Sequence, residues 1–138
     1  MELNDLIRRV STDKGIRPED FAPRFPNFGL NLLRDTCHAD AVNAGWHKSP
    51  REDGTFLALI HSEISEALEG ERKGLMDDKI PSRKMAEVEL ADAIIRIMDY
   101  CGLKGYDIGG AVVEKLAYNK TRADHKPENR AKEGGKKW

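Results

Sequence analysis

Two stretches of the chain, 55–73 and 83–101, have apolar side chains at helical spacing and carboxylates inside the apolar face. Glu63 falls within the first face and Glu89 within the second, while Glu66 and Asp92 lie one turn further on, at the edges. An ionised carboxylate is costly to bury without a compensating charge, so the two helices must face something that supplies it. The apolar members of the two faces are Phe56, Leu59, Ile60, Ile64 and Ala67, and Met85, Ala86, Leu90, Ala93, Ile97 and Tyr100.

The spacing of the four carboxylates predicts that they meet. Glu63 and Asp92 are equidistant from the middle of the connector between the helices, and so are Glu66 and Glu89. In an antiparallel hairpin folded about that connector, the four side chains lie at similar heights along the axes. Hard divalent cations with oxygen ligands satisfy such a cluster, and no His or Cys shares it, which argues against zinc. We therefore predict a magnesium site, with manganese as the alternative ion.

The rest of the chain predicts further helices and no strand. Helices are expected over about 28–45 and 108–123, the latter capped by Asp107. Ser82 is expected to cap the 83–101 helix, which ends before Gly102, and a capping box at 49–52 is expected to precede the 55–73 helix. Short loops between helices predict an all-α bundle centred on the hairpin.

Three segments are expected along the chain. Residues 1–26 are interpreted as a short helix followed by a proline-containing loop, residues 27–125 as one domain, and residues 126–138 as a polar tail. The third helix of the bundle also carries Val88, Ile95 and Met98 off the hairpin face. A helix that is apolar nearly all round is buried on several sides, so we expect at least a dimer.

The helix expected over 108–123 begins as an apolar stripe and continues as a polar one. Arg and Lys side chains suit phosphate groups, and a tyrosine could contact a ribose or act as a base. The alternative is a helix that simply leaves the core with basic residues at its end. Trp46 is a candidate for stacking on a nucleobase, with core packing as its alternative. The candidate substrate-binding residues are thus Lys115, Tyr118, Asn119, Arg122 and Trp46.

The remaining ionisable and sulfur-containing residues are interpreted as ordinary. His61 lies on the polar side of its helix, and His38 and His47 have no partners at metal-ligand spacing. Cys37 and Cys101 are expected to be reduced core residues. The 138 residues carry a net charge of −1, which gives no electrostatic footprint for nucleic acid. No apolar run reaches the roughly 20 residues of a membrane helix, and no signal peptide is evident, so a cytoplasmic protein without membrane contact is expected.

The two acidic motifs, Glu63-Ile-Ser-Glu66 and Glu89-Leu-Ala-Asp92, resemble the E-x-x-E and E-x-x-D signature of the MazG-like, all-α nucleoside triphosphate pyrophosphohydrolase superfamily. The likeness extends from about residue 30 to residue 122. It includes the segment KLAYNKTR, which is similar to a K-x-x-x-N-x-x-R pattern in many members. One departure is Ser62, where many members have a further Glu.

The resemblance implies an activity and a set of roles. The four acids would hold magnesium and carry catalysis, and a nucleoside or deoxynucleoside triphosphate would be hydrolysed to the monophosphate and pyrophosphate. Lys115 and Arg122 would stabilise the leaving group. Homodimers or homotetramers are implied. Two alternatives stay open: an enzyme similar to phosphoribosyl-ATP pyrophosphatase, and a helical oligomer that binds a nucleotide without cutting it.

Overall fold

A computed structural model of the chain describes residues 25–122, and this part contains four α-helices. They are α1 (Phe25–Asn43), α2 (Asp53–Lys73), α3 (Met85–Lys104) and α4 (Ile108–Thr121). No strand forms within residues 25–122, where the only pairing of β type is an isolated antiparallel bridge between Met76 and Lys84. The all-α prediction is therefore confirmed. The predictions for residues 1–24 and for the tail over 126–138 lie outside the described residues.

The described residues fall into two compact units, one of residues 32–106 and one of residues 25–31 with 107–122. In the larger unit, α2 and α3 pack along their lengths as an antiparallel pair. Lys104 Nζ donates to Asp53 Oδ2 over 2.9 Å at the open end, and Gly70 lies against Ala86 beside the connector. The start of α2 therefore lies beside the end of α3, and the end of α2 lies beside the start of α3. The antiparallel hairpin predicted from the symmetry of the carboxylates is confirmed.

Small residues let α2 and α3 approach closely. Ala67, Gly70, Ala86 and Ala93 are all buried along the contact between the helices. A Cβ atom added at Gly70 would lie 3.0 Å from the backbone nitrogen of Ala86, so a larger residue there would push the helices apart. The narrow contact brings side chains on its two margins within reach of each other.

The narrow contact also leaves large apolar side chains outside. Ile64 and Leu90, which the periodicity places in the hairpin faces, are 46% and 47% exposed in the single chain. The hairpin itself does not cover these two side chains, because the helices meet through alanine and glycine residues instead. Other large apolar side chains of these two helices that are exposed are Leu57, Leu68, Ile94, Ile95 and Leu103.

The helix starts of the hairpin differ from the predicted caps. Helix α2 begins at Asp53 after Glu52, and α3 begins at Met85 after Lys84, and neither preceding residue makes a side-chain cap hydrogen bond. The capping box at 49–52 and the Ser82 cap are therefore wrong. Ser82 instead lies in the connector, where the Arg83 nitrogen donates to the Ile80 oxygen in a tight turn.

Both helices of the hairpin end at a glycine, but α3 ends later than predicted. Helix α2 stops at Gly74 as predicted, in a left-handed conformation with φ of 64°. Helix α3 runs through Gly102 and stops at Gly105, which has φ of 66°. Only a residue without a Cβ atom adopts this conformation at no steric cost, so Gly105 ends the helix.

The smaller unit joins the first turns of α1 to the start of α4. Asp107 caps α4 as predicted, accepting from the Gly110 nitrogen over 2.9 Å. Asn31 links the two segments, because its Nδ2 donates to Asp107 Oδ1 and its Oδ1 accepts from the Gly109 nitrogen. Pro26, expected in a loop, lies in the first turn of α1, where its missing N–H has no helical partner to lose.

Within residues 25–122, none of the helices has both the length and the apolar character needed to cross a bilayer.

Candidate metal centre

Three of the four predicted carboxylates converge at the margin of the α2–α3 contact. Glu63 comes from α2, and Glu89 and Asp92 come from α3, where a separation of three residues places them on one face. Each offers a carboxylate oxygen, and the three oxygens lie within 4.8 Å of one another. Glu63 is 6% exposed although it is ionisable. This acid cluster, defined as Glu63, Glu89 and Asp92, could hold a metal ion.

The electrostatics of the acid cluster show a shortage of positive charge. Burial raises the pKa of Glu89 to about 7, and a hydrogen bond to Glu63 and the charges of Glu66, Glu63 and Asp92 act in the same direction. The pKa of Asp92 is also raised, mainly by burial and next by the charge of Glu63, whereas the charge of Arg96 lowers it. Three hard oxygen ligands that repel one another are the donor set that magnesium and manganese prefer.

Arg96 is the counter-ion of the acid cluster, and the sequence reasoning missed it. Its Nε donates to Glu63 Oε1 over 2.6 Å, and its side chain is 28% exposed. Its position in the sequence could have indicated this role, because Arg96 follows Asp92 by four residues and lies one turn along the same face of α3. A positive side chain at that position lies beside any acid that α2 presents there.

Glu66 stands apart from the other three acids. It is exposed and lies outside the group of oxygens that converge, although its charge contributes to the raised pKa of Glu89. The carboxylate therefore lies near the acid cluster without belonging to it. A role for Glu66 as a metal ligand stays a prediction.

Asp77 is a further buried acid, in the connector between α2 and α3. It is 6% exposed, and its Oδ1 accepts from the backbone nitrogens of Lys79 and Ile80 over 2.9 and 2.6 Å. These bonds explain its burial, because they cap the turn of the connector. Its charge also acts to raise the pKa of Asp92.

A cleft of about 420 Å³ adjoins the acid cluster through Arg96. Trp46 lies in its wall with 48% exposure, and the Arg96 guanidinium lies 5.8 Å from the centre of the Trp46 ring. The alternative that Trp46 fills the core of the single chain is therefore wrong. The full lining consists of Gly45, Trp46, Ser49, Arg51, Leu59 and Arg96.

The other predicted substrate residues lie on α4, in the smaller unit. Lys115 Nζ lies 4.9 Å and Arg122 Cζ 5.9 Å from the ring centre of Tyr118, so the two cations and the ring share one face. Asn119 Oδ1 is buried, and the part of the chain that the structure describes offers it no hydrogen-bond partner. The polar stripe is thus a physical cluster, in a different unit from the acid cluster.

Two histidines have a partner that their spacing in the sequence did not indicate, and the prediction for the cysteines is confirmed. His38 and His47 do have a partner, because both contact the buried carboxylate of Asp99. His61 is exposed on α2, as expected. Cys37 and Cys101 are free and buried, and burial is the largest cause that raises the pKa of each thiol.

No family model, curated protein or solved structure matches this chain. The resemblance to the MazG-like superfamily therefore rests on the two acidic motifs and the K-x-x-x-N-x-x-R segment, and membership stays a prediction.

Proposed function

We propose that this protein is a magnesium-dependent hydrolase of nucleoside or deoxynucleoside triphosphates, of the MazG-like class, that releases pyrophosphate. The observation that carries the proposal is Arg96, which contacts Glu63 of the acid cluster and the Trp46 ring of the cleft. One side chain thus joins a site suited to a hard cation and a cleft with an exposed aromatic wall. A nucleoside triphosphate has both halves, a polyphosphate that binds magnesium and a base that stacks.

The acid cluster supports the phosphate half of the proposal. Glu63, Glu89 and Asp92 would hold the ion, with Glu66 beside them as a fourth acid. A bound magnesium or manganese ion would neutralise phosphate charge and lower the pKa of a bound water. With the ion in place, Glu63 no longer needs Arg96, and the guanidinium becomes available to a phosphate oxygen.

The cleft supports the nucleoside half. The exposed Trp46 ring offers an apolar face for a base, and the cations Arg51 and Arg96 line the same depression. On α4, Lys115 and Arg122 flank Tyr118, and cations of this kind bind phosphate groups. Attack at the α-phosphorus is the expected step, because it releases the two outer phosphates together as pyrophosphate.

The exposed apolar side chains of the hairpin support association of two or four copies. Ile64, Leu68, Leu90 and Ile94 come from both helices and are each about half exposed. Exposed large apolar side chains on two neighbouring helices are typical of a subunit interface. We therefore expect a homodimer or homotetramer. A molar mass from light scattering that corresponds to a strict monomer at micromolar concentration would contradict this expectation.

The test of the function is a screen of the common ribo- and deoxyribonucleoside triphosphates, with phosphoribosyl-ATP included. Each is incubated with the protein and magnesium, and phosphate is measured with and without added inorganic pyrophosphatase. Phosphate should appear only when pyrophosphatase is added, and a monophosphate should accumulate. Orthophosphate as the direct product, or full turnover in excess chelator, would assign the protein to another class.

A further inference from the structure

A second cluster of metal-ligating side chains lies about two turns along α3 from the acid cluster. His38 Nδ1 and His47 Nε2 each lie 2.8 Å from Asp99 Oδ1, and the three atoms lie within 4.8 Å of one another. The residues come from α1, from the loop after α1 and from α3. Asp99 is 4% exposed, so the three atoms meet inside the unit of residues 32–106. We name these residues the His–Asp cluster.

The backbone brings His47 back toward α3 at the end of α1. Gly45 adopts φ of 85°, and the Trp46 nitrogen donates to the Ala41 oxygen over 3.0 Å. This is the left-handed reversal that glycine allows after a helix. It places the two following residues differently: Trp46 in the wall of the cleft, and His47 on Asp99.

A glycine inside α3 makes room for His38. A Cβ atom at Gly102 would lie 2.4 Å from the Cβ atom of His38, closer than the two atoms can approach. Glycine is a poor helix former, yet α3 continues through this position. The residue of α3 with the lowest helix propensity therefore lies at the position that contacts His38.

Ring contacts fix the orientation of the imidazoles. The His47 ring stacks on Phe56 at 5.8 Å with an interplanar angle of 16°, and it meets the His38 ring edge-on at 5.1 Å. Phe56 is itself buried. Ligands whose rings are held by packing lose little further freedom when they bind an ion.

We propose that His38, His47 and Asp99 form a second metal site, which takes zinc or a similar divalent ion and is separate from the acid cluster. Two imidazoles and one carboxylate are a ligand set that zinc and its neighbours favour, whereas magnesium prefers oxygen ligands alone. Ligand atoms on bonds of about 2.1 Å lie roughly 3 Å from one another in a coordination shell. The two atom pairs that involve Asp99 are already close to that spacing, and the two imidazole nitrogens lie within 4.8 Å of each other, so little rearrangement is needed to bind an ion.

A metal ion at this site would stabilise the wall of the cleft through the loop at residues 44–49. A bound ion ties His47 to α1 and α3, and Trp46 is its direct neighbour in the chain. The role is structural, because an ion held by this buried carboxylate fixes the wall of the cleft. The inference does not depend on turnover, and it holds or fails whatever reaction the acid cluster carries out.

The test uses the full chain and Co²⁺ as the probe, in excess magnesium that occupies the acid cluster. Visible absorption should show one Co²⁺ per chain in a site of low coordination number, and Zn²⁺ should displace it. The same titration in Glu63→Gln should give the same spectrum. Absence of binding in the wild type, or loss of the spectrum in Glu63→Gln, would overturn the proposal.

Variants of the His–Asp cluster provide the second arm. His47→Ala and Asp99→Asn should weaken Zn²⁺ binding at least tenfold and abolish the rise in melting temperature that Zn²⁺ causes in the wild type. His61→Ala, on the exposed side of α2, should bind Zn²⁺ as the wild type does. Equal affinity in His47→Ala and His61→Ala would refute the site. If His47→Ala does not fold by circular dichroism, the Co²⁺ titration of the wild type and of Glu63→Gln decides alone.

Discussion

Helix α3 carries carboxylates of two clusters, and the clusters differ in what surrounds the acids. At Asp92, the neighbours are two more carboxylates and one arginine, which is engaged with Glu63. At Asp99, seven residues on, the neighbours are two imidazoles that approach a single oxygen. Both settings contain a buried acid that has a hydrogen-bond donor, but Glu63 has one guanidinium among three carboxylates, whereas Asp99 has two imidazoles.

A buried carboxylate therefore does not by itself indicate a magnesium site. Burial and neighbouring charges raise the pKa of Glu89 and Asp92, so the ionised forms of these two acids reduce stability at neutral pH in the absence of a cation. The His–Asp cluster satisfies its carboxylate by hydrogen bonds and contributes to folding without an ion. Neutralisation of Glu89 and removal of the His47 imidazole should therefore have opposite effects on stability in the absence of metal.

The largest expected effect is on turnover, in Glu63→Gln. The substitution keeps the shape and removes the charge of the most buried acid, so turnover should fall at least ~10²-fold, the order seen when one group that stabilises the transition state is removed. The melting temperature of the metal-free protein should not rise, because Arg96 loses its partner. Steady-state kinetics and thermal melts measure the two quantities.

Glu69→Gln is the matched control on the same helix. Glu69 forms an exposed ion pair with Lys73, one turn away. It should change neither turnover nor the melting temperature measurably. Equal behaviour of the two variants would make Glu63 an ordinary acid and remove the centre of the proposed site.

The next effect is on stability, in Arg96→Ala. Without the guanidinium, Glu63 stays buried beside two other acids, and the free energy of unfolding should drop by about 2 kcal/mol in chelator. Magnesium should restore most of that loss, since it replaces the missing charge. Arg83→Ala, which breaks an exposed pair with Glu87, should cost less than about 1 kcal/mol with or without magnesium. A magnesium-independent loss in Arg96→Ala would mean that the ion does not bind at Glu63.

A smaller effect is the pH dependence that Glu89 causes. Its pKa of about 7 in the folded protein lies above the usual 4.5, so the stability linked to its protonation is present below pH 4.5 and lost as pH rises to 7. In chelator, the melting temperature of Glu89→Gln relative to the wild type should therefore rise from pH 4.5 to 7 and level off above. Melts across that range measure it. A flat difference would show that Glu89 is not held among repelling charges.

The smallest effect tests the His–Asp cluster through Gly102→Ala. The added methyl group meets the Cβ atom of His38, and overpacking of roughly 1–3 kcal/mol is offset in part by about 1 kcal/mol of helix propensity. We expect a net loss of about 1 kcal/mol by chemical denaturation. Gly54→Ala, where an added Cβ atom meets nothing within 4 Å, should be neutral or stabilising. A stabilising Gly102→Ala would show that His38 is not fixed against α3.

The helices of the hairpin and the convergence of three of their four acids were predictable from the sequence. Both follow from local rules, since the period of a helix decides which residues share a face and the symmetry about the connector decides which heights match. The Asp107 cap and the stop at Gly74 were predictable for the same reason, because each depends on a few neighbouring residues. The Ser82 cap failed because the turns of the connector, and not the residue preference, set where α3 begins.

The pairing of the acids depends on the tertiary structure. Asp99 meets His38 and His47 across 61 and 52 residues, and no spacing rule relates residues so far apart. The exposure of Ile64 and Leu90 could not be predicted from the sequence either. Periodicity gives the direction of a side chain but not the distance between two helices. That distance depends on Ala and Gly at the contact between α2 and α3. It decides which side chains are covered and which charges come within reach of each other.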